Sequence, residues 1–113
     1  MNENKRGKER INKINLLYLC VKENGDVIQQ GMGRTINISE SGIRLETNFP
    51  IDSKKTVFLS IGIEDDIVNI KGRIVYYIEK NATFEFGIQF EDVDEYASVI
   101  LGQYINFFKS GNC

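Results

Sequence analysis

Two groups of residues have the types and spacing to bind something. Arg6 and Arg10 form an R-x-x-x-R pair near the N-terminus, and Asn37, Ser39 and Gly42 form N-x-S-x-x-G. Paired guanidinium groups suit anions, because each presents a planar fork of N–H donors. In a strand, Asn37 and Ser39 fall on one face while Ile36 and Ile38 point to the core. Gly42 can adopt positive φ and lets a ligand approach the backbone closely. Taken alone, Asn37-Ile-Ser-Glu-Ser-Gly42 also fits a turn held by its own side chains, and the basic segment also fits a solvated terminus.

Catalysis has little to work with. Ser39, Ser41 and Cys20 are the possible nucleophiles, but the chain has no His to activate them. The acidic groups Glu64-Asp65-Asp66 and Glu91-Asp92 fall at strand ends and turns, where solvated carboxylates are usual. No D-x-D-x-D-G run supports a calcium loop, and Gly31-Met32-Gly33 is neither a dinucleotide fingerprint nor a P-loop. The reading is of a binding protein without catalytic residues and without a metal. Cys20 is expected to act as a small core hydrophobe in a reduced, cytoplasmic protein, with Cys113 an exposed thiol. The N-terminus lacks the apolar stretch of a signal peptide, and the longest apolar run, Ile14–Val21 interrupted by Asn15, is too short to span a membrane.

The 113 residues fit one domain. The net charge of −2 conceals an asymmetry. Residues 1–13 carry five basic and two acidic side chains, a charge of +3, while the rest carries nine and fourteen, a charge of −5. A flexible basic arm (1–13) is therefore expected before a mildly acidic body (14–113). A general nucleic-acid binder would be more basic.

Period-two alternation in the body predicts six antiparallel strands: Ile14–Lys22, Val27–Ser39, Gly42–Thr47, Thr56–Ile63, Ile67–Ile78 and Thr83–Phe90. Asn24-Gly25 predicts a tight hairpin turn. On the fifth strand Val68, Ile70, Ile74, Tyr76 and Ile78 share the core face, and most aromatics fall on such faces. Ala97, Ile100, Leu101, Tyr104, Ile105 and Phe108 then form one helical stripe, predicting a helix over about residues 94–108. Asp92 and Glu95 resemble a capping box, with Asp94 adding favourable charge. Closing the strands into a barrel would remove exposed edges. The expected fold is all-β in the main: a six-stranded antiparallel barrel with a basic arm and a C-terminal α-helix.

With these motifs in this order, the chain resembles the PilZ domain family, bacterial receptors for cyclic di-GMP. Besides Arg6, Arg10, Asn37, Ser39 and Gly42, the stretches Gly42-Ile-Arg-Leu45, Gly72-Arg-Ile-Val75 and Phe86-Gly-Ile-Gln-Phe90 look like the family's third, fifth and sixth strands. Asn37 stands where many relatives have Asp, a variation the family pattern allows. The resemblance implies that Arg6, Arg10, Asn37, Ser39 and Gly42 contact cyclic di-GMP, with Lys5, Ser41 and Arg44 as possible additions. Arg34 and Arg73 are read instead as solvated strand-face charges. It also implies an adaptor that orders its arm on binding and signals to an effector protein. The expected molecule is a monomer or weak homodimer, with no nucleic-acid partner and no membrane insertion. The alternatives are a PilZ-like interaction module that needs no nucleotide, and a small barrel binding RNA or single-stranded DNA.

Overall fold

The computed structural model describes residues 16–52 and 55–109. Six antiparallel strands close into a barrel in the order β1-β2-β3-β6-β5-β4. They are β1 (Leu16–Glu23), β2 (Asp26–Ile38), β3 (Gly42–Thr47), β4 (Thr56–Ile63), β5 (Asp66–Glu79) and β6 (Phe84–Val93), followed by α1 (Glu95–Lys109). β3 and β4 match the predicted spans, β6 runs three residues further, and the remaining described ends differ by one or two. None of the described helices is long and apolar enough to cross a membrane.

Alternation builds the core. Leu17, Leu19 and Val21 of β1 point inward, as do Val57, Leu59, Ile61 and Ile63 of β4 and Phe86 and Ile88 of β6. Ala97, Leu101, Tyr104 and Ile105 carry the buried stripe of α1. The β1–β2 turn is the expected one, with φ of 55° at Asn24 and 87° at Gly25. The helix cap lies elsewhere than expected. Asp92 still pairs with Lys71 in the sheet, whereas the Asp94 carboxylate accepts the Ala97 N–H at 2.7 Å, so Asp94 is the N-cap.

Bulges account for the other departures. An extra residue at Val75, between the Ile74↔Ile88 and Tyr76↔Gly87 pairs, flips the strand over. Ile74 stays half-buried, but Tyr76 and Ile78 are turned outward and exposed. β5 also outruns β4, whose pairing ends at Thr56↔Arg73. A second bulge at Ile36 puts Thr35 opposite buried Leu45 and Asn37 opposite Arg44. Thr35 therefore takes the inward position expected of Ile36, which is half-buried, while Ile38 points inward as expected. Cys20 is buried but shares the outer face of β1 with Tyr18 and Lys22, flooring a groove beside Phe58 and Lys71. Nor do the aromatics all fill the core: Tyr18, Tyr76, Tyr77, Tyr96 and Phe107 are exposed.

Candidate functional site

The N-x-S-x-x-G segment forms the tight connection between β2 and β3. The Ser39 N–H donates to the Gly42 carbonyl at 2.9 Å, leaving Glu40 and Ser41 at the tip. The Ser39 side chain is fully buried and serves the turn itself. Its Oγ lies 3.3 Å from the Ser41 Oγ, accepts the Ser41 N–H at 3.3 Å, and donates to the Gly42 carbonyl at 3.3 Å. The Ser41 carbonyl accepts the Phe90 N–H at 2.9 Å, tying the tip to β6.

Gly42 has a packing role that its sequence does not announce. Positive φ among the described glycines occurs at Gly25 and not at Gly42. A Cβ at Gly42 would instead lie 2.6 Å from the Ile88 carbonyl oxygen, a backbone atom of the neighbouring strand. The glycine lets β3 pack against β6 immediately below the turn. Gly42→Ala must push the two strands apart, and should cost about 1–3 kcal/mol of stability in chemical unfolding.

Register extends the site across the sheet. Asn37 pairs with Arg44, Arg44 with Gly87, and Gly87 with Tyr76, forming one transverse row on the outer face. The next row is Gly42, Gln89 and Arg73, with an Arg73 Nη2 donating to Gln89 Oε1 at 2.9 Å. Between these rows lies a groove of about 450 Å3, lined by Ser41, Gly42, Arg44, Val75, Tyr76, Gly87 and Gln89. That volume falls within the small-molecule range. Gly87 makes room for its neighbour: a Cβ there would lie 2.1 Å from the Tyr76 ring. The aromatic face therefore lies against backbone at the groove's far side.

A buried carboxylate holds this wall. The side chain of Glu85 is 3% exposed and sits between Arg44, Tyr76 and Lys80. Its Oε2 accepts from Arg44 Nε at 3.0 Å, Arg44 Nη2 at 2.6 Å and the Tyr76 hydroxyl at 2.9 Å. Its Oε1 pairs with Lys80 Nζ at 2.9 Å. Burial by itself would push the carboxyl up, but donation from Lys80, Arg44 and Tyr76 outweighs it and holds Glu85 at about 2. The same contact raises Arg44 above its ordinary value. Burial, and then the Glu85 acceptor, raise the Tyr76 phenol. At neutral pH the wall thus presents a cationic guanidinium, 41% exposed, beside a neutral phenol.

Of the residues singled out by sequence, the turn and groove bring together Asn37, Ser39, Ser41, Gly42 and Arg44. Asn37 is buried despite its outer-face register. Lys5, Arg6 and Arg10 lie outside the described residues, as does Cys113. Arg34 and Arg73 are solvated as expected, yet each is paired: Arg34 with Glu46 at 2.6 Å, and Arg73 with Glu91 at 3.7 Å. Sequence reasoning missed Tyr76, Glu85, Gly87 and Gln89. The usable signal was Gly87, a glycine inside a strand between Phe86 and Ile88, which marks a close approach. No group of three His, Cys, Asp or Glu side chains among the described residues is placed to hold a metal ion.

Comparison with known proteins bears on the fold. The family model described as PilZ domain matches residues 4–107. The PilZ domain of YcgR from Escherichia coli, solved with c-di-GMP, superposes with a TM-score of 0.73 at 11% identity, covering 96% of this chain and 95% of that one. MotI/DgrA from Bacillus subtilis, an inhibitor of motility, superposes at 0.75 with 11% identity, covering 96% of this chain and 53% of its own. PlzA from Borreliella burgdorferi, in complex with c-di-GMP, superposes at 0.59 with 19% identity, covering 91% of this chain and 42% of its own. The chain thus spans about half the length of MotI and less than half of PlzA. No curated protein matches it in sequence.

Proposed function

Because the chain belongs to the PilZ domain family, we propose that it is a receptor for cyclic di-GMP that signals to a partner protein rather than an enzyme. One observation carries the reading. The β2–β3 turn and Arg44 form one lip of a groove of about 450 Å3 whose other side bears Tyr76 and Gln89. Cyclic di-GMP offers such a groove two phosphodiester charges and two guanine edges. Guanidinium forks match both.

In this reading Arg6 and Arg10 reach the ligand from the N-terminal side, with Lys5 adding phosphate attraction. Asn37, buried beside Arg44, meets a guanine edge by turning its amide toward the groove, and Ser41 and the backbone around Gly42 offer donors. Ser39 contributes by holding the turn, since its hydroxyl is engaged with Ser41 and Gly42. Arg44 supplies a cation at the groove lip, and Tyr76 an aromatic surface on which a guanine can lie. Binding draws the segment 1–13 onto the barrel, and that ordering is the switch the partner reads. The ordering cost is taken from the gross binding energy, as in any coupled folding event.

Two-dimensional NMR during a cyclic di-GMP titration tests the location. The amides of Ser41, Gly42, Arg44, Gly87 and Gln89 should move together and saturate. Saturable shifts confined to the opposite face, around Cys20 and Phe58, would refute the assignment of this groove.

A second reading, an interaction module that works without nucleotide, is favoured by the uncharged outer face of α1. That face is compatible with the first reading, because none of its residues lines the groove.

A further inference from the structure

The outward face of α1 exposes apolar side chains and carries no charge. The chain is 27% charged, yet the twelve residues Tyr96–Phe107 contain no charged side chain. A surface helix ordinarily sets a charged face opposite its buried one. Here Ala97, Leu101, Tyr104 and Ile105 face the barrel, while Tyr96, Val99 and Phe107 are 48–55% exposed on the other side. With exposed Gln103, their spacing of three, four and four residues aligns them in a second stripe. Beside this stripe Ile100, Gln103 and Phe107 line a groove of about 300 Å3 against Ile63, Glu64 and Asp66 of the β4–β5 turn. Ile67, next in β5, is 65% exposed.

The rim carries a sign. Glu64, Asp65 and Asp66 occupy or adjoin the β4–β5 turn, and Asp92, Asp94 and Glu95 cluster at the start of the helix. The Tyr96 hydroxyl donates to Asp66, joining the two acidic groups beside the stripe. We infer that this face docks a basic amphipathic segment of a partner protein, with apolar side chains on the stripe and Lys or Arg against the carboxylates. A second copy of the chain would bring the same carboxylates to the contact. An anionic membrane surface would be repelled by them. A basic partner gains from both the apolar stripe and the rim.

The inference rests on the signalling half of the proposed function and not on the nucleotide, so the two can fail separately. The probe is a synthetic amphipathic peptide with a leucine face and a lysine face, followed by NMR and fluorescence anisotropy at physiological salt. Its binding should shift the amides of α1 and of residues 64–67. Val99→Asp, and separately Glu64→Lys with Asp65→Lys, should each weaken it about tenfold or more. The thermal transition and cyclic di-GMP affinity should stay unchanged in both variants. Equal affinity for the corresponding leucine–glutamate peptide would overturn the inference, as would unchanged affinity in the folded variants. So would self-association of the wild-type chain that Val99→Asp abolishes, which would assign the face to a second copy. Absence of cyclic di-GMP binding by the wild-type chain would count against the receptor reading alone.

Discussion

Alanine at Arg6 or at Arg10 should weaken cyclic di-GMP binding by about 5- to 150-fold, or about 1–3 kcal/mol each. The double variant should remove most measurable binding. Each guanidinium can make a bidentate contact to a phosphate or to the O6/N7 edge of a guanine, and truncation leaves that ligand group without its partner. The basic segment carries +3 ahead of a body of −5, so its attraction for a dianion also has a general electrostatic part. Lys5→Ala and Lys8→Ala separate the two effects. They should flatten the salt dependence of binding with only small loss of affinity. Calorimetry on the four single variants makes the comparison. If the arginine and lysine variants weaken binding alike, the segment acts as diffuse charge and not as a pair of specific contacts.

The second large effect concerns stability. Glu85 is held at about 2, against an ordinary value of 4.5. A carboxyl lowered in the folded state stabilises the fold above its unfolded pKa, and that stability is lost as pH falls through the folded value. The contribution is on the order of 3 kcal/mol at neutral pH. It should be fully present above about pH 5 and fade as pH falls toward 2. Glu85→Gln removes the charge while keeping the shape. Urea unfolding of wild type and Glu85→Gln should therefore differ by about 2–3 kcal/mol at pH 7 and converge near pH 2. Arg44 and Lys80 are partly exposed and regain water when the charge is removed, which holds the loss below that of a fully buried pair. A constant difference across the pH range would mean that shape, and not charge, holds the network together. Because Glu85 also anchors Arg44 and Tyr76, the same substitution should weaken nucleotide binding at neutral pH.

The barrel was legible because its signals are local. Alternating apolar residues marked all six strands, Asn24-Gly25 marked a turn with two positive φ values, and the stripe from Ala97 to Ile105 marked the helix. Bulges broke the extrapolation. A single extra residue at Val75 or Ile36 shifts register and exchanges inside for outside. Tyr76 thereby passes from expected core residue to groove wall, and Thr35 takes the place of Ile36. Nothing in the period-two pattern announces such an insertion. The β2–β3 half of the candidate site was readable as a motif, since its residues are close in sequence. The half contributed by β5 and β6 was not. Glu85 carries no local signal, because strand pairing sets Arg44, Tyr76 and Lys80 around it from 41, 9 and 5 positions away. Gly42 was legible as a special position, though not through positive φ. Its need for the glycine is set by the Ile88 carbonyl across the sheet.

Calorimetric titration of the purified chain with cyclic di-GMP tests the central claim most directly. Saturable binding with one nucleotide, or a stacked pair, per chain is the predicted result, accompanied by a rise in the thermal transition. A folded protein that shows neither saturable heat nor a thermal shift at millimolar nucleotide would contradict it.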